Sequence, residues 1–313
     1  MTPSIDPEIL AARAGQTKAF PPIDVTAMPT AEGRALANAA AGHFNDGLPP
    51  IAQVEDKWAA GPGGRLRLRI YRPAGSAGRG AVLYVHGGGW FACNVDTHDR
   101  TMRSLAHDSG VPVIGVDFRL APEHAFPAAL HDCIAAWEWI EANAAEFGID
   151  PARVAIAGDS AGANLALALM IDRRDRGLAM PAGAALLYGC FAPGLDTDSN
   201  RRFGRGEYGL TTQRMEWYWS NYLGSARSDP PALAAPLHCD LGRLPPVFLG
   251  IAEADVVADD SRLLLERLRQ AGVTAELTMW PGTVHGFLQM TRDVQVARDA
   301  IRETAGVLAA WSA

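Results

Sequence analysis

Ser160 stands in Gly158-Asp159-Ser160-Ala161-Gly162, after an apolar run (Val154-Ala155-Ile156-Ala157) that reads as a strand and before one (Asn164 to Ile171) that reads as a helix. A serine hydroxyl attacks a carbonyl only when a tight strand-to-helix turn exposes it beside a base and beside free backbone N–H groups. Glycines on both sides suit such a turn, because neighbouring backbone passes too close to admit a Cβ. The pentapeptide alone is a weak signal, and the context must decide.

Upstream, His86-Gly87-Gly88-Gly89-Trp90 directly follows Ala81-Val82-Leu83-Tyr84-Val85, a run of buried-strand type. Three glycines at a strand end leave a backbone bare of side chains, whose N–H groups can point into a pocket. Acyl transfer through a serine needs such donors, since its tetrahedral intermediate carries an oxyanion. A phosphate-binding nest would also be glycine-rich, but no Walker lysine or G-x-G-x-x-G helix start accompanies this run.

These two segments in this order resemble the hormone-sensitive-lipase family of α/β-hydrolases, the bacterial family IV esterases. Phe118-Arg119-Leu120-Ala121-Pro122-Glu123-His124 is similar to that family's Tyr-Arg-Leu-Ala-Pro-Glu-His segment. Ile149-Asp150-Pro151-Ala152-Arg153-Val154 resembles the approach to its nucleophile strand, and Trp280-Pro281-Gly282-Thr283-Val284-His285-Gly286-Phe287 the stretch around its histidine. The resemblance runs from about residue 66 to the C-terminus. It departs in detail: Gly162 is followed by Ala163 where the family has Asn, Asp255-Val256-Val257 stands for Asp-Pro-Leu, and Tyr188-Gly189 for Tyr-Pro.

After the nucleophile, hydrolases of this fold carry an acid and then a histidine. Pro246 to Ile251 is an apolar run of strand length, so Asp255 falls at the carboxyl end of the sheet, where ligands bind. Glu253, Asp259 and Asp260 lie close by, and the last two are expected to cap the helix that follows. Two histidines follow Ser160; His238 precedes the acid strand, which leaves His285. The expected triad is Ser160 as nucleophile, His285 as base and then acid, and Asp255 as the residue that orients His285. The resemblance implies an oxyanion hole from the N–H groups of Gly88, Gly89 and Ala161. His86 is expected to order the glycine loop, and Asp159 and Glu123 to serve as structural polar partners. Trp90, Trp217 and Phe287 are candidates to line the substrate pocket.

With 313 residues, 48% hydrophobic and 20% charged, the chain can bury a large core. A net charge of −7 without a basic cluster argues against nucleic acid and anionic membranes as partners. Cys93, Cys133, Cys190 and Cys239 show no paired spacing and read as buried thiols, and the eight histidines show no metal-ligand spacing. No metal or other cofactor is expected. The opening Met1-Thr2-Pro3-Ser4-Ile5-Asp6-Pro7 lacks the character of a secretory leader, so a cytoplasmic location is expected. The uncharged stretch Gly177 to Leu195 contains prolines and glycines and reads as a loop plus a buried strand at Ala184 to Tyr188 rather than a membrane span.

The elements that must position these residues alternate from about Leu66 onward. Strands are expected at Leu66 to Tyr71 (alternating, as in a half-exposed antiparallel edge region), 81–85, 112–117, 154–157, 184–188, 246–251 and 274–280. Helices are expected at Ala128 to Phe147 and Asn164 to Arg176, each ended by a glycine. This is an α/β chain with a mostly parallel central sheet flanked by helices. Residues 1–50, with helices near Pro7 to Ala14 and Thr30 to Phe44, and residues 191–235 stand outside the alternation. The resemblance makes them a helical cap over two core parts, 51–190 and 236–313, of an α/β-hydrolase fold.

The expectation is a serine carboxylesterase acting on short- to medium-chain esters. The same triad could serve a lactone, aryl formamide or amide hydrolase, and a catalytically silent ligand-binding protein or a metallohydrolase are readings from other classes. Members of the family often pair through an edge strand, so the partners implied are a small ester substrate and a second copy of the chain.

Overall fold

The computed structural model describes residues 3–22, 24–75, 80–194 and 196–312. Met1, Thr2 and Leu195, which figure in the sequence reading, lie outside them.

Eight strands form one sheet: β1 (Gln53–Gly61), β2 (Gly64–Arg72), β3 (Ala81–Val85), β4 (Val113–Val116), β5 (Val154–Asp159), β6 (Ala184–Leu187), β7 (Val247–Ala254) and β8 (Ala275–Val284). Their order is β1-β2-β4-β3-β5-β6-β7-β8. β1 and β2 pair antiparallel, as do β2 and β4, and every pairing from β4 through β8 is parallel. The helices are α1 (Pro7–Ala19), α2 (Thr30–Gly42), α3 (Asp99–Ser109), α4 (Ala128–Phe147), α5 (Ala161–Asp175), α6 (Asp198–Phe203), α7 (Thr212–Leu223), α8 (Ala258–Gln270) and α9 (Gln295–Ser312).

The central strands are continuous apolar runs because helices cover both faces. Along β3, Ala81, Leu83 and Val85 pack with α4, α5 and α8, whereas Val82 and Tyr84 pack with α3 and α9. The alternating segment at Leu66 is β2, antiparallel as expected, but it is not the sheet edge. On that side the edge is β1, whose sequence QVEDKWAAG carries too many charges to announce itself as a strand. Left-handed glycines follow α3 (Gly110, φ 68°), α4 (Gly148, φ 66°) and α5 (Gly177, φ 66°). Among the described residues, no helix is long and apolar enough to cross a membrane.

Asp259 and Asp260 do not cap α8. They lie inside its first turn, and their carboxylates reach out of it to accept the backbone N–H groups of Ser199 (2.8 Å) and Phe191 (2.9 Å). Both belong to the tie between α8 and the 191–203 segment. Cys93, Cys133 and Cys190 are buried, but Cys239 is partly exposed; all four are free thiols.

The turn between β5 and α5 is compressed against the end of β3. A Cβ on Gly158 would lie 2.6 Å from the Gly162 carbonyl and 2.8 Å from the Val85 oxygen, and one on Gly162 would meet the Val85 and His86 carbonyls. Backbone cannot yield as a side chain does, so Gly158→Ala should cost about 2–3 kcal/mol, read as a lowered midpoint in urea unfolding with the slope unchanged.

Candidate active site

Ser160 sits at the tip of that turn with φ 52° and ψ −120°, a strained conformation for a residue with a Cβ. The strain is held in place by neighbours: its N–H donates to the Leu187 carbonyl (2.8 Å), and the next residue, Ala161, starts α5. The N–H groups of Ala163 and Asn164 donate to the Ser160 carbonyl (3.1 and 3.3 Å), and that of Ala161, the first residue of the helix, has no intrahelical acceptor.

β7 and the turn after it deliver Asp255, 1% exposed, and the turn after β8 delivers His285. His285 Nε2 lies 2.9 Å from Ser160 Oγ, and His285 Nδ1 lies 2.7 Å from Asp255 Oδ2. The other Asp255 oxygen accepts the Val257 N–H at 3.1 Å, which fixes the carboxylate plane. Valines in place of Pro-Leu after Asp255 therefore leave the acid anchored by the backbone. Gly286, left-handed at φ 77°, turns the chain immediately after the histidine.

The glycine run packs against the serine turn. Gly88 (φ 118°) and Gly89 (φ 62°) are left-handed, and a Cβ on Gly89 would lie 2.5 Å from the Tyr218 ring. Asp159 organises this region: its Oδ1 accepts the Tyr84 hydroxyl at 2.8 Å and the Gly87 N–H at 2.9 Å. His86 is buried, stacked on Phe118 at 4.2 Å, with Nδ1 2.8 Å from the Gly87 carbonyl. Burial, with His98 nearby, pushes its pKa down to about 3, so it is neutral. Glu123 pairs with Arg34 at 2.6 Å, and the same guanidinium donates to the Phe91 and Ala121 carbonyls.

A cavity of about 260 Å³ opens over Ser160 and His285. Its floor is Gly88, Gly89, Cys93 and Asp159, one wall is Ala37, Ala40 and Ala41 of α2 with Gln16 of α1, and another is Leu210, Met215 and Tyr218. The three residues expected to line it do not. Trp90 is fully buried, stacked on Tyr222 at 4.1 Å, and Phe287 is fully buried beside Tyr188 and Trp280. Trp217 packs edge-on against Phe91 at 4.8 Å. One step along α7 rotates a side chain by about 100°, and Tyr218 rather than Trp217 therefore faces the serine. The alanines at positions 37, 40 and 41 carry a legible signal, the i, i+3, i+4 spacing of one helix face. Gln16 and Gln289, which complete the lining, carried none.

Among the described residues, no three His, Cys, Asp or Glu side chains come together as metal ligands. Residues 82–289 match a protein family described as having the alpha/beta hydrolase fold. Acetyl esterases of Salmonella paratyphi A and Salmonella typhi are 38% identical over 252 residues, covering 78% of this chain and 76% of theirs. The chain belongs to the hormone-sensitive-lipase family of α/β-hydrolases. Among solved structures, a hyperthermophilic esterase from the archaeon Pyrobaculum calidifontis superposes with a TM-score of 0.91 at 34% identity, covering 98% of both chains. A thermostable carboxylesterase from a metagenomic library gives 0.88 at 35% identity, covering 92% of this chain and 99% of that one. The chain is accordingly a carboxylic ester hydrolase of the serine type.

Burial lowers the pKa of His285, but the charge and hydrogen bond of Asp255, with a further contribution from Asp159, outweigh it, and the net shift is upward from 6.5. A base must be neutral to take a proton. The acid limb of kcat/KM should therefore lie above pH 6.5, with activity lost as pH falls through it. Asp255→Asn removes the larger upward contributions and leaves the burial and the smaller effect of Asp159, so the limb should move to lower pH while kcat falls by about 10⁴-fold. A pH–rate profile of both proteins reads the two effects separately.

Proposed function

We propose that Ser160 attacks the ester carbonyl carbon while His285 Nε2 takes its proton and later returns it to the leaving alkoxide. Asp255 holds the histidine tautomer and balances the imidazolium. The N–H groups of Gly88, Gly89 and Ala161 receive the oxyanion. Water then attacks the acyl-enzyme with His285 again as base, releasing the carboxylic acid and restoring Ser160. The observation that carries this reading is the unbroken line from Asp255 Oδ2 through His285 to Ser160 Oγ, at 2.7 and 2.9 Å. A silent ligand-binding protein would have no need of that alignment.

The substrate proposed is a short-chain ester, acetyl esters included. A cavity of about 260 Å³ walled by alanines, Met215 and Tyr218 supports a small acyl group, and the relatives named acetyl esterases agree with it. Residues 1–50 and 191–235 are proposed as the cap, since α1, α2 and α7 supply the walls above the serine. A homodimer is proposed on the outer edge of β8, which ends the sheet, and light scattering that returned the mass of one chain would remove it. The free thiols support a cytoplasmic placement.

Hydrolysis of p-nitrophenyl esters from acetate to laurate should be fastest at the short end and fall with chain length. Ser160→Ala should lower kcat by about 10⁴- to 10⁶-fold on every chain. Equal rates for the two proteins would overturn the serine mechanism, and a laurate optimum would overturn the substrate reading alone.

A further inference from the structure

Away from the serine, a cavity of about 400 Å³ opens between α3, α9, the 47–49 loop and the residues that follow the His285 turn. Arg100, Arg292, Arg298 and Arg302 all line it, in a chain whose net charge is −7. Two of the four are matched by carboxylates: Arg292 by Asp293 at 2.9 Å and Asp46 at 3.6 Å, and Arg302 by Asp299. The other two are not. The guanidinium of Arg100, a residue 4% exposed, donates to the main-chain oxygens of Phe44, Asp46 and Gly47, and its Nη1 has no acceptor among the described residues. Arg298 holds the Gln295 amide oxygen and the Thr291 and Arg292 carbonyls. The hydroxyl of Thr291, a residue 6% exposed on the same lining, is buried without a partner.

We propose that this cavity is a binding site for an organic oxyanion, a phosphate monoester or a carboxylate, with its head between Arg100, Arg298 and the Thr291 hydroxyl. Arg100 keeps Nη1 for an anion, Arg298 contributes chiefly its charge because its three nitrogens already hold protein oxygens, and a buried hydroxyl without an acceptor gains a full hydrogen bond. The volume exceeds that of the head alone, and Pro49 and Ile301 supply an apolar side for the rest of the molecule. Asp108, the one carboxylate on the lining, is paired with His107 at 2.8 Å at the exposed rim. Burial and the charge of Arg292 press on Arg100, against the opposing charges of Asp293, Asp46 and Asp99, and the net shift is downward. Asp46, Asp293 and Asp299 offset Arg292 and Arg302 on the spot, so occupancy depends on Arg100 and Arg298.

The site lies behind the catalytic histidine. Thr291 follows the turn Phe287–Met290, and Gln289 of that turn both lines the catalytic cavity and contacts His98 at the start of α3 (2.9 Å). A bound anion therefore braces the segment that carries His285 from its far side.

The test is equilibrium dialysis and thermal unfolding with inorganic phosphate and, separately, acetate, at ionic strength held constant with chloride. Saturable binding is expected, with a Tm rise of about 3 °C at roughly tenfold above Kd. Arg298→Gln should weaken it by about tenfold or more. Thr291→Val, nearly isosteric, should weaken it several-fold and serves if the arginine variant does not fold. A response to phosphate alone assigns a phosphate head, and a response to acetate that both variants weaken assigns a carboxylate. No saturable response to either anion, or one that the variants leave unchanged, overturns the site.

Discussion

The approach of the β5–α5 turn to the end of β3 is the contact on which the remaining site geometry rests. Gly158 and Gly162 bring their backbones against the Val85 and His86 carbonyls at distances no Cβ would permit. That contact forces the tight turn that holds Ser160 at φ 52°. It also fixes where β3 ends, and with it where Gly87, Gly88 and Gly89 must run. Nucleophile and glycine loop are thus placed by one interaction, and Asp159 locks them by accepting from Tyr84 and Gly87 on one side of the serine.

Two buried carboxylates at this end of the sheet are pushed in opposite directions by their surroundings. Burial alone raises the pKa of Asp159, but His98, the Tyr84 hydroxyl and the Gly87 N–H together hold it below the usual carboxylate range. Asp260 shows the opposite balance: burial, with the charges of Asp255 and Asp259, pushes it up to about 8 despite the Phe191 and Ala192 N–H groups. A neutral Asp260 spares Asp255 a like charge beside it.

The outlying segments are tied down by arginine and aspartate rather than by apolar packing alone. Arg34 of α2 joins Glu123 and the carbonyls of Phe91 and Ala121, so the wall over the serine is fastened to the segment after the glycine loop. On the other side, Asp259 and Asp260 hold backbone N–H groups of the 191–203 segment. Such ties fix position through few contacts, which lets small side chains such as Ala37, Ala40 and Ala41 face the cavity.

The sequence by itself determined the core strands, the helices α4, α5 and α8, and the choice of Ser160, Asp255 and His285 as residues that meet. Those signals are local or ordinal: apolar runs mark buried strands, glycines mark turns, and chain order separates His285 from His238. Tertiary structure alone decided the edge strand β1, whose charged sequence has no apolar period, and the use of Asp259 and Asp260 away from their own helix. It also decided the pocket. Trp90, Trp217 and Phe287 lie beside the right motifs yet face elsewhere, because a side chain's direction depends on backbone rotation and on which neighbours fill the space behind it. Gln16, Gln289 and Met215 reach the cavity from distant parts of the chain, and no local pattern records a contact that exists only once those parts have packed.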